Sequence, residues 1–171
     1  PEGDALHRPP IETIQEFLKQ VDYNIIVKEV GQGMGPESLR ALLELPLTAI
    51  EFAAFGGTNF AKVELMRNND QKASLLDPLS YIGQTAEEMT HSVNTILKEG
   101  ITQKTDRLII SGGLKSFLDG YYLINKSKVP AVYGMASTFL KYAKEDYKQL
   151  QEFTHNQIEG LKMAYAYLSV L

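Results

Sequence analysis

Apolar side chains recur along this chain with two periods, and the periods alternate. Ile11, Ile14, Leu18 and Val21 follow Pro9-Pro10 at helical spacing, which predicts a first helix over Pro10–Gln20. Asn24-Ile25-Ile26-Val27-Lys28-Glu29-Val30 is then a β-branched run ending at Gly31, the pattern of a strand. Pro36 opens a short helix through Leu45, with Leu39, Leu42, Leu43 and Leu45 on its apolar side. Thr48–Phe52 is the next strand, and it runs into Phe55-Gly56-Gly57-Thr58. Asn59–Ser80 carries the least pattern, has Asn68-Asn69-Asp70 as a polar tip, and is predicted to be a long functional or mobile loop. The helical period returns from about Thr85 through Met89, Val93, Ile96 and Leu97, and stops at Gly100. A third strand (Arg107–Ser111), a helix from about Lys115 to Leu123 and a fourth strand (Pro130–Tyr133) follow. The chain finishes with a short helix near Thr138–Tyr142 and a long one from about Lys144, where Leu150, Phe153, Ile158, Leu161, Tyr165 and Leu168 keep the spacing.

Short apolar strands alternating with helices predict an α/β fold with parallel pairing and right-handed crossovers. Two architectures satisfy that order: an open doubly wound sheet, or part of a (β/α)8 barrel.

Composition narrows the setting. The 171 residues, 44% hydrophobic and 22% charged, describe one folded domain over residues 1–171 rather than a disordered or fibrous chain. A net charge of −4 provides no electrostatic footprint for nucleic acid or an anionic membrane. No apolar run approaches the ~18–20 residues of a membrane span, and no signal-peptide pattern is seen, so the expected location is the cytoplasm. With no cysteine, disulfides, thiolate nucleophiles and zinc–thiolate sites are excluded. The chain starts at Pro1, so it is expected to be a piece of something longer.

Glycine follows every strand at its carboxyl end: Gly31-Gln32-Gly33-Met34-Gly35, Gly56-Gly57-Thr58, Ser111-Gly112-Gly113 and Gly134-Met135-Ala136-Ser137. In parallel α/β folds those ends share one face, where ligands bind. Glycine lets backbone N–H groups approach an anion, and the following helix offers its N-terminal dipole. Four such turns, two of them with Thr or Ser, point to a phosphorylated ligand; the alternative is that glycine only tightens the turns. Lys28 shares a strand face with Ile26 and Val30, opposite Ile25, Val27 and Glu29. A Lys-Glu pair inside a covered strand needs a reason, since burying charge is unfavourable. Either both groups reach solvent or each other, or the Lys28 ammonium faces the ligand as an electrostatic anchor. Gly31-x-Gly33-x-Gly35 with Glu51 partly matches a dinucleotide-binding fingerprint, but Pro36 stands where the third glycine belongs. His7, His91 and His155 lack metal-ligand spacing, and Tyr142, Tyr147, Tyr165 and Tyr167 read as helix packing.

Taken in order, these motifs resemble the second half of type 2 isopentenyl-diphosphate Δ-isomerase, an FMN-dependent (β/α)8 barrel. The residues that carry the resemblance are Pro1-Glu2-Gly3-Asp4, Val27-Lys28-Glu29-Val30-Gly31-x-Gly33-Met34, Phe55-Gly56-Gly57-Thr58-Asn59-Phe60-Ala61 and Ile82-Gly83-Gln84-Thr85. Ile110-Ser111-Gly112-Gly113-Leu114-Lys115 and Gly134-Met135-Ala136-Ser137-Thr138-Phe139-Leu140 complete it. The resemblance implies that Lys28 contacts the flavin ring and Thr58 the cofactor. It implies that Gly112, Gly113, Leu114 and Lys115 after the seventh barrel strand, and Ala136 and Ser137 after the eighth, hold the FMN phosphate. It further implies reduced FMN as an acid–base catalyst of isopentenyl to dimethylallyl diphosphate conversion, NAD(P)H as reductant, and Mg2+ on the diphosphate substrate.

The chain departs from the family at three places: Ala53 replaces a common serine, Lys115 replaces an arginine, and Tyr81-Ile82-Gly83-Gln84-Thr85 replaces Trp-Gly-Ile-Pro-Thr. Lysine keeps the charge but loses the bidentate fork. The family's His-x-Asn-x-x-Gln-Glu run, with its metal-binding Glu, is absent, and Glu2 does not match it. No catalytic residue and no metal ligand is therefore assigned in this half, and the Mg2+ ligands are expected upstream of Pro1. The reading is of a C-terminal half-barrel, about four βα units, whose open edges predict a missing N-terminal half-barrel and homo-oligomer contacts. A related FMN oxidoreductase would carry a His-Gly-x-Arg-type signature, which is not present. A non-catalytic α/β module is the remaining alternative.

Overall fold

A computed structural model describes residues 8–67 and 71–171. The Pro1-Glu2-Gly3-Asp4 match, His7 and the Asn68-Asn69-Asp70 tip lie outside the described residues. The elements run α1 (Pro10–Gln20), β1 (Ile26–Lys28), α2 (Pro36–Leu43), β2 (Ala49–Glu51), α3 (Phe60–Arg67), α4 (Gln71–Leu76) and a 3₁₀ turn (Asp77–Tyr81). They continue with α5 (Ala86–Lys98), β3 (Leu108–Ser111), α6 (Phe117–Lys126), β4 (Ala131–Gly134), α7 (Ser137–Ala143) and α8 (Tyr147–Tyr167).

The four strands pair in parallel in the order β1-β2-β3-β4. A doubly wound sheet reverses its strand order at a switch point, whereas barrel strands follow one another in sequence. The sequential order removes the doubly wound alternative and leaves the arrangement of half a barrel. The two sheet faces agree. Ile50, Phe52, Leu108 and Ile110 are buried under Leu39, Leu43, Met89, Val93 and Leu123 from α2, α5 and α6. On the other face the register aligns Lys28, Glu51, Ile109 and Val132 across the four strands. Ile26 and Val132 are 50% and 61% exposed there, so the face that would line a barrel is open.

Sequence patterning places all four strands, but β1 is shorter than the expected Asn24–Val30. Its pairing ends where the Glu29 N–H reaches Glu51 O at 3.3 Å and Gly31 turns away at φ 116°. The expected loop Asn59–Ser80 is a correction: it contains α3, α4 and the 3₁₀ turn. Those elements are one or two turns long, and α3 has no buried residue, so no apolar stripe marks them. Polar contacts hold them instead. The Asn59 side chain accepts the Lys62 N–H at 2.9 Å and donates to Ser80 O, and Lys62 Nζ pairs with Asp77 and donates to Tyr81 Oη. Those partners also hold the Lys62 ammonium above the usual lysine range, the Asp77 hydrogen bond contributing most.

The tyrosine expectation holds for two residues and fails for two. Tyr142 stacks on Phe153 with centroids 4.3 Å apart, and Tyr165 meets Tyr121 edge-on at 5.0 Å. Tyr147 and Tyr167 are 77% and 84% exposed at the two ends of α8, beyond the reach of the neighbouring helices. Among the described residues no helix is long and apolar enough to cross a membrane.

Candidate functional site

A cleft of about 500 Å³ opens at the carboxyl ends of the four strands. It is walled by Lys28 and Gly31 at β1, Ala53, Gly57 and Thr58 after β2, Ser111–Leu114 after β3, and Gly134–Ser137 after β4. The volume falls in the range of small-molecule sites, ~300–1,000 Å³. The turns after β3 and β4, expected to share a rim, do share it through residues 111–114 and 134–137. Seven of the eight residues singled out from the sequence line this cleft together: Lys28, Thr58, Gly112, Gly113, Leu114, Ala136 and Ser137. The eighth, Lys115, lies outside it, in a neighbouring groove with Phe55, Asp119 and Tyr122.

Glycine is required where these turns meet. Gly112 has φ 93°, and a Cβ there would collide with the backbone of Ala54, so the loop after β3 can nest against the end of β2 only without a side chain. Ala53, in the same wall, holds φ 39°, the left-handed region that ordinary residues avoid. Its N–H donates to Ser111 Oγ at 3.1 Å, and that hydroxyl donates to Glu51 Oε1 at 3.0 Å. The same carboxylate oxygen accepts from Lys28 Nζ. Ammonium, carboxylate, hydroxyl and amide thus form one chain across β1, β2 and β3 on the open face. With a side-chain exposure of 53%, Lys28 keeps room to meet a ligand while Glu51 orients it.

The Lys28-Glu29 pair therefore separates across the strand. Lys28 joins the network on the open face, and the Glu29 carboxylate accepts the N–H groups of Gly31, Gln32 and Gly33 at 2.5, 2.7 and 2.8 Å. This corrects the reading of all four glycine turns as open to an anion, because the first is filled by the chain's own carboxylate. The N-terminus of α6 is engaged in a similar way: the N–H groups of Lys115 and Ser116 donate to Asp119 at 2.8 and 3.0 Å. At α7 the cap residue is Ala136, which makes no side-chain cap hydrogen bond.

Sequence reasoning missed the Glu51–Ser111–Ala53 network. Glu51 was visible as a polar end to an apolar strand, but its partners come from strands 23 and 60 residues away in sequence. Among the described residues no group of three or more His, Asp or Glu could hold a metal ion. His91 and His155 are exposed.

No family model matches the chain. Curated relatives do, and the three described here carry the name isopentenyl-diphosphate delta-isomerase. One from Bacillus pumilus is 35% identical over 142 residues, covering 82% of this chain and 36% of the relative. One from Staphylococcus epidermidis is 33% identical over 121 residues, covering 70% and 32%. One from Ignicoccus hospitalis is 27% identical over 165 residues, covering 95% and 44%. The chain is thus a homologue of proteins named isopentenyl-diphosphate delta-isomerase, and spans less than half the length of these relatives.

Proposed function

We propose that this chain is the flavin-phosphate half of a type 2, FMN-dependent isopentenyl-diphosphate Δ-isomerase, a single half-barrel domain completed by a second half-barrel. The observation that carries this reading is the joint lining of one strand-end cleft by Lys28, Thr58, Gly112–Leu114, Ala136 and Ser137. The names of the homologues support an isomerase of isoprenoid biosynthesis.

The residues present fit FMN. Gly57, Gly112 and Gly113 let the turns after β2 and β3 pack backbone to backbone in the cleft wall, since a Cβ on any of them would meet the neighbouring turn. Bound and reduced, FMN supplies acid–base catalysis that moves a proton across an allylic carbon framework without net redox change, NAD(P)H being the reductant. The chain's own groups bind and orient. Lys28, held by Glu51, presents a positive charge to the ring end of the ligand. Thr58 and Ser137 offer hydroxyls, and the backbone N–H groups of Gly112–Leu114 and of the turn after β4 receive the phosphate. Lys115 stands in the neighbouring groove with its N–H on Asp119, outside the cleft.

The described residues do not fit Mg2+. The cleft's two carboxylates, Glu29 and Glu51, are engaged by three amides and by Lys28 with Ser111. We assign the metal's ligands to the other half of the site.

The test is to isolate the intact protein, record its visible spectrum, and assay isopentenyl to dimethylallyl diphosphate conversion with FMN, NADPH and Mg2+. A flavin spectrum with FMN- and NADPH-dependent conversion is the expected result. A colourless protein that neither binds FMN nor depends on it for turnover would overturn the reading.

A further inference from the structure

Glu29 has a role that a strand carboxylate seldom takes. Three consecutive amides, those of Gly31, Gln32 and Gly33, converge on its Oε2 at 2.5, 2.7 and 2.8 Å. Such a convergence is an anion-binding concavity, the kind that elsewhere holds a phosphate. Charge on the acceptor makes each bond stronger than a neutral one. Gly31, the first donor, sits at φ 116°, and a Cβ on it would collide with the Thr58 carbonyl oxygen. The loop that Glu29 organises is therefore the surface against which the Thr58 segment rests, and both Gly31 and Thr58 line the cleft.

We propose that Glu29 is a built-in anion and a positioning residue: it occupies the concavity after β1 in place of an external anion and holds Gly31 against Thr58. Glu29 acts through Thr58 rather than on the reacting atoms. As far as it concerns the cofactor, the inference rests on the flavin reading above. It also removes the turn after β1 from the places open to a phosphate, which there would have to displace an intramolecular carboxylate.

The experiment uses the intact protein with Glu29→Ala, Glu29→Gln, Thr58→Ala and the double variant Glu29→Ala/Thr58→Ala, titrated with FMN by fluorescence quenching. Glu29→Ala is expected to raise the FMN dissociation constant about tenfold, and Glu29→Gln, which keeps an uncharged acceptor, by less. The double variant should be no weaker than the worse single variant, because both losses act at one point. Added formate, a small carboxylate able to enter the emptied concavity, should restore affinity to Glu29→Ala and not strengthen the unaltered protein. Additive losses, or formate without effect on Glu29→Ala, would overturn the proposal. Should the unaltered protein bind no FMN, the flavin reading fails by itself, and the thermal midpoint decides. A formate-dependent rise confined to Glu29→Ala supports the occupied concavity, and no rise refutes it. If Glu29→Ala does not fold, Glu29→Gln with Thr58→Ala carries the same additivity test.

Discussion

Lys28 owes its position to one carboxylate. Glu51 lies beside it on the next strand, in register and on the same face, and accepts from both Lys28 Nζ and Ser111 Oγ. Replacing Lys28 with alanine should change stability by less than ~1 kcal/mol, because the ammonium is half-exposed and screened by solvent and Glu51 keeps its bond from Ser111. The same change should weaken FMN binding or slow turnover in the intact protein, and unchanged titrations and rates would remove Lys28 from the site. A contrasting residue is Thr105, fully buried, whose hydroxyl donates to Leu45 O at 2.6 Å and accepts the Leu47 N–H at 3.3 Å. Thr105→Val keeps the shape and removes the hydroxyl's bonds, while Leu47 N–H and Leu45 O keep each other at 2.9 Å, so a loss of ~0.5–1.5 kcal/mol is expected by urea denaturation. Sequence patterning singled out Lys28, because a cation inside an apolar strand is visible as an anomaly. Thr105 left no such mark, since its partners lie about 60 residues away.

One helix end and one kind of helix contact decide stability at the scale of elements. Thr85 and Glu88 cap α5 reciprocally, and the Thr85 backbone N–H, then its side chain, hold the Glu88 carboxyl below the usual glutamate range. A depressed carboxyl stabilises the fold above its unfolded titration range and loses that contribution as pH falls through its folded value. Glu88→Gln should therefore lower the thermal midpoint at neutral pH and converge with the unaltered protein in acid, which a pair of melting curves against pH will show. Helix α6 meets β4, and α8 meets α6, through glycine. A Cβ at Gly120 would lie 2.5 Å from the Tyr133 ring, and one at Gly160 would collide with Phe117. Alanine in a helix ordinarily gains ~1 kcal/mol over glycine. Here Gly120→Ala should instead lose ~1–3 kcal/mol through overpacking, measurable by denaturant melts. This close approach is why the apolar spacing expected for α8 misses its buried side. The residues buried there are Gly160 and Ala164, while Ile158 and Tyr165 are about half exposed. Periodicity finds large apolar residues, and a helix that packs closely buries small ones.

At the scale of the whole molecule, the sheet has one covered face and one open one. Ile26 and Val132 are exposed on the open face, and β1 and β4 each present an unpaired parallel edge within this chain. Open edges and an apolar sheet face drive association. The 171-residue chain on its own is expected to associate with a concentration-dependent mass in sedimentation equilibrium. A monodisperse species of 19.1 kDa at all concentrations would contradict this. From the sequence alone, the strand–helix alternation, the parallel pairing and the glycine turns were all determined, because period, chain direction and backbone freedom are local properties. Tertiary structure alone decided that the strands run in sequential order with one face left open. It also decided that the turns after β3 and β4 share a rim with Lys28 and Thr58, and that Glu29 fills the turn after β1. Those outcomes depend on which distant groups come within bonding distance once the strands pair, and no local pattern encodes that distance.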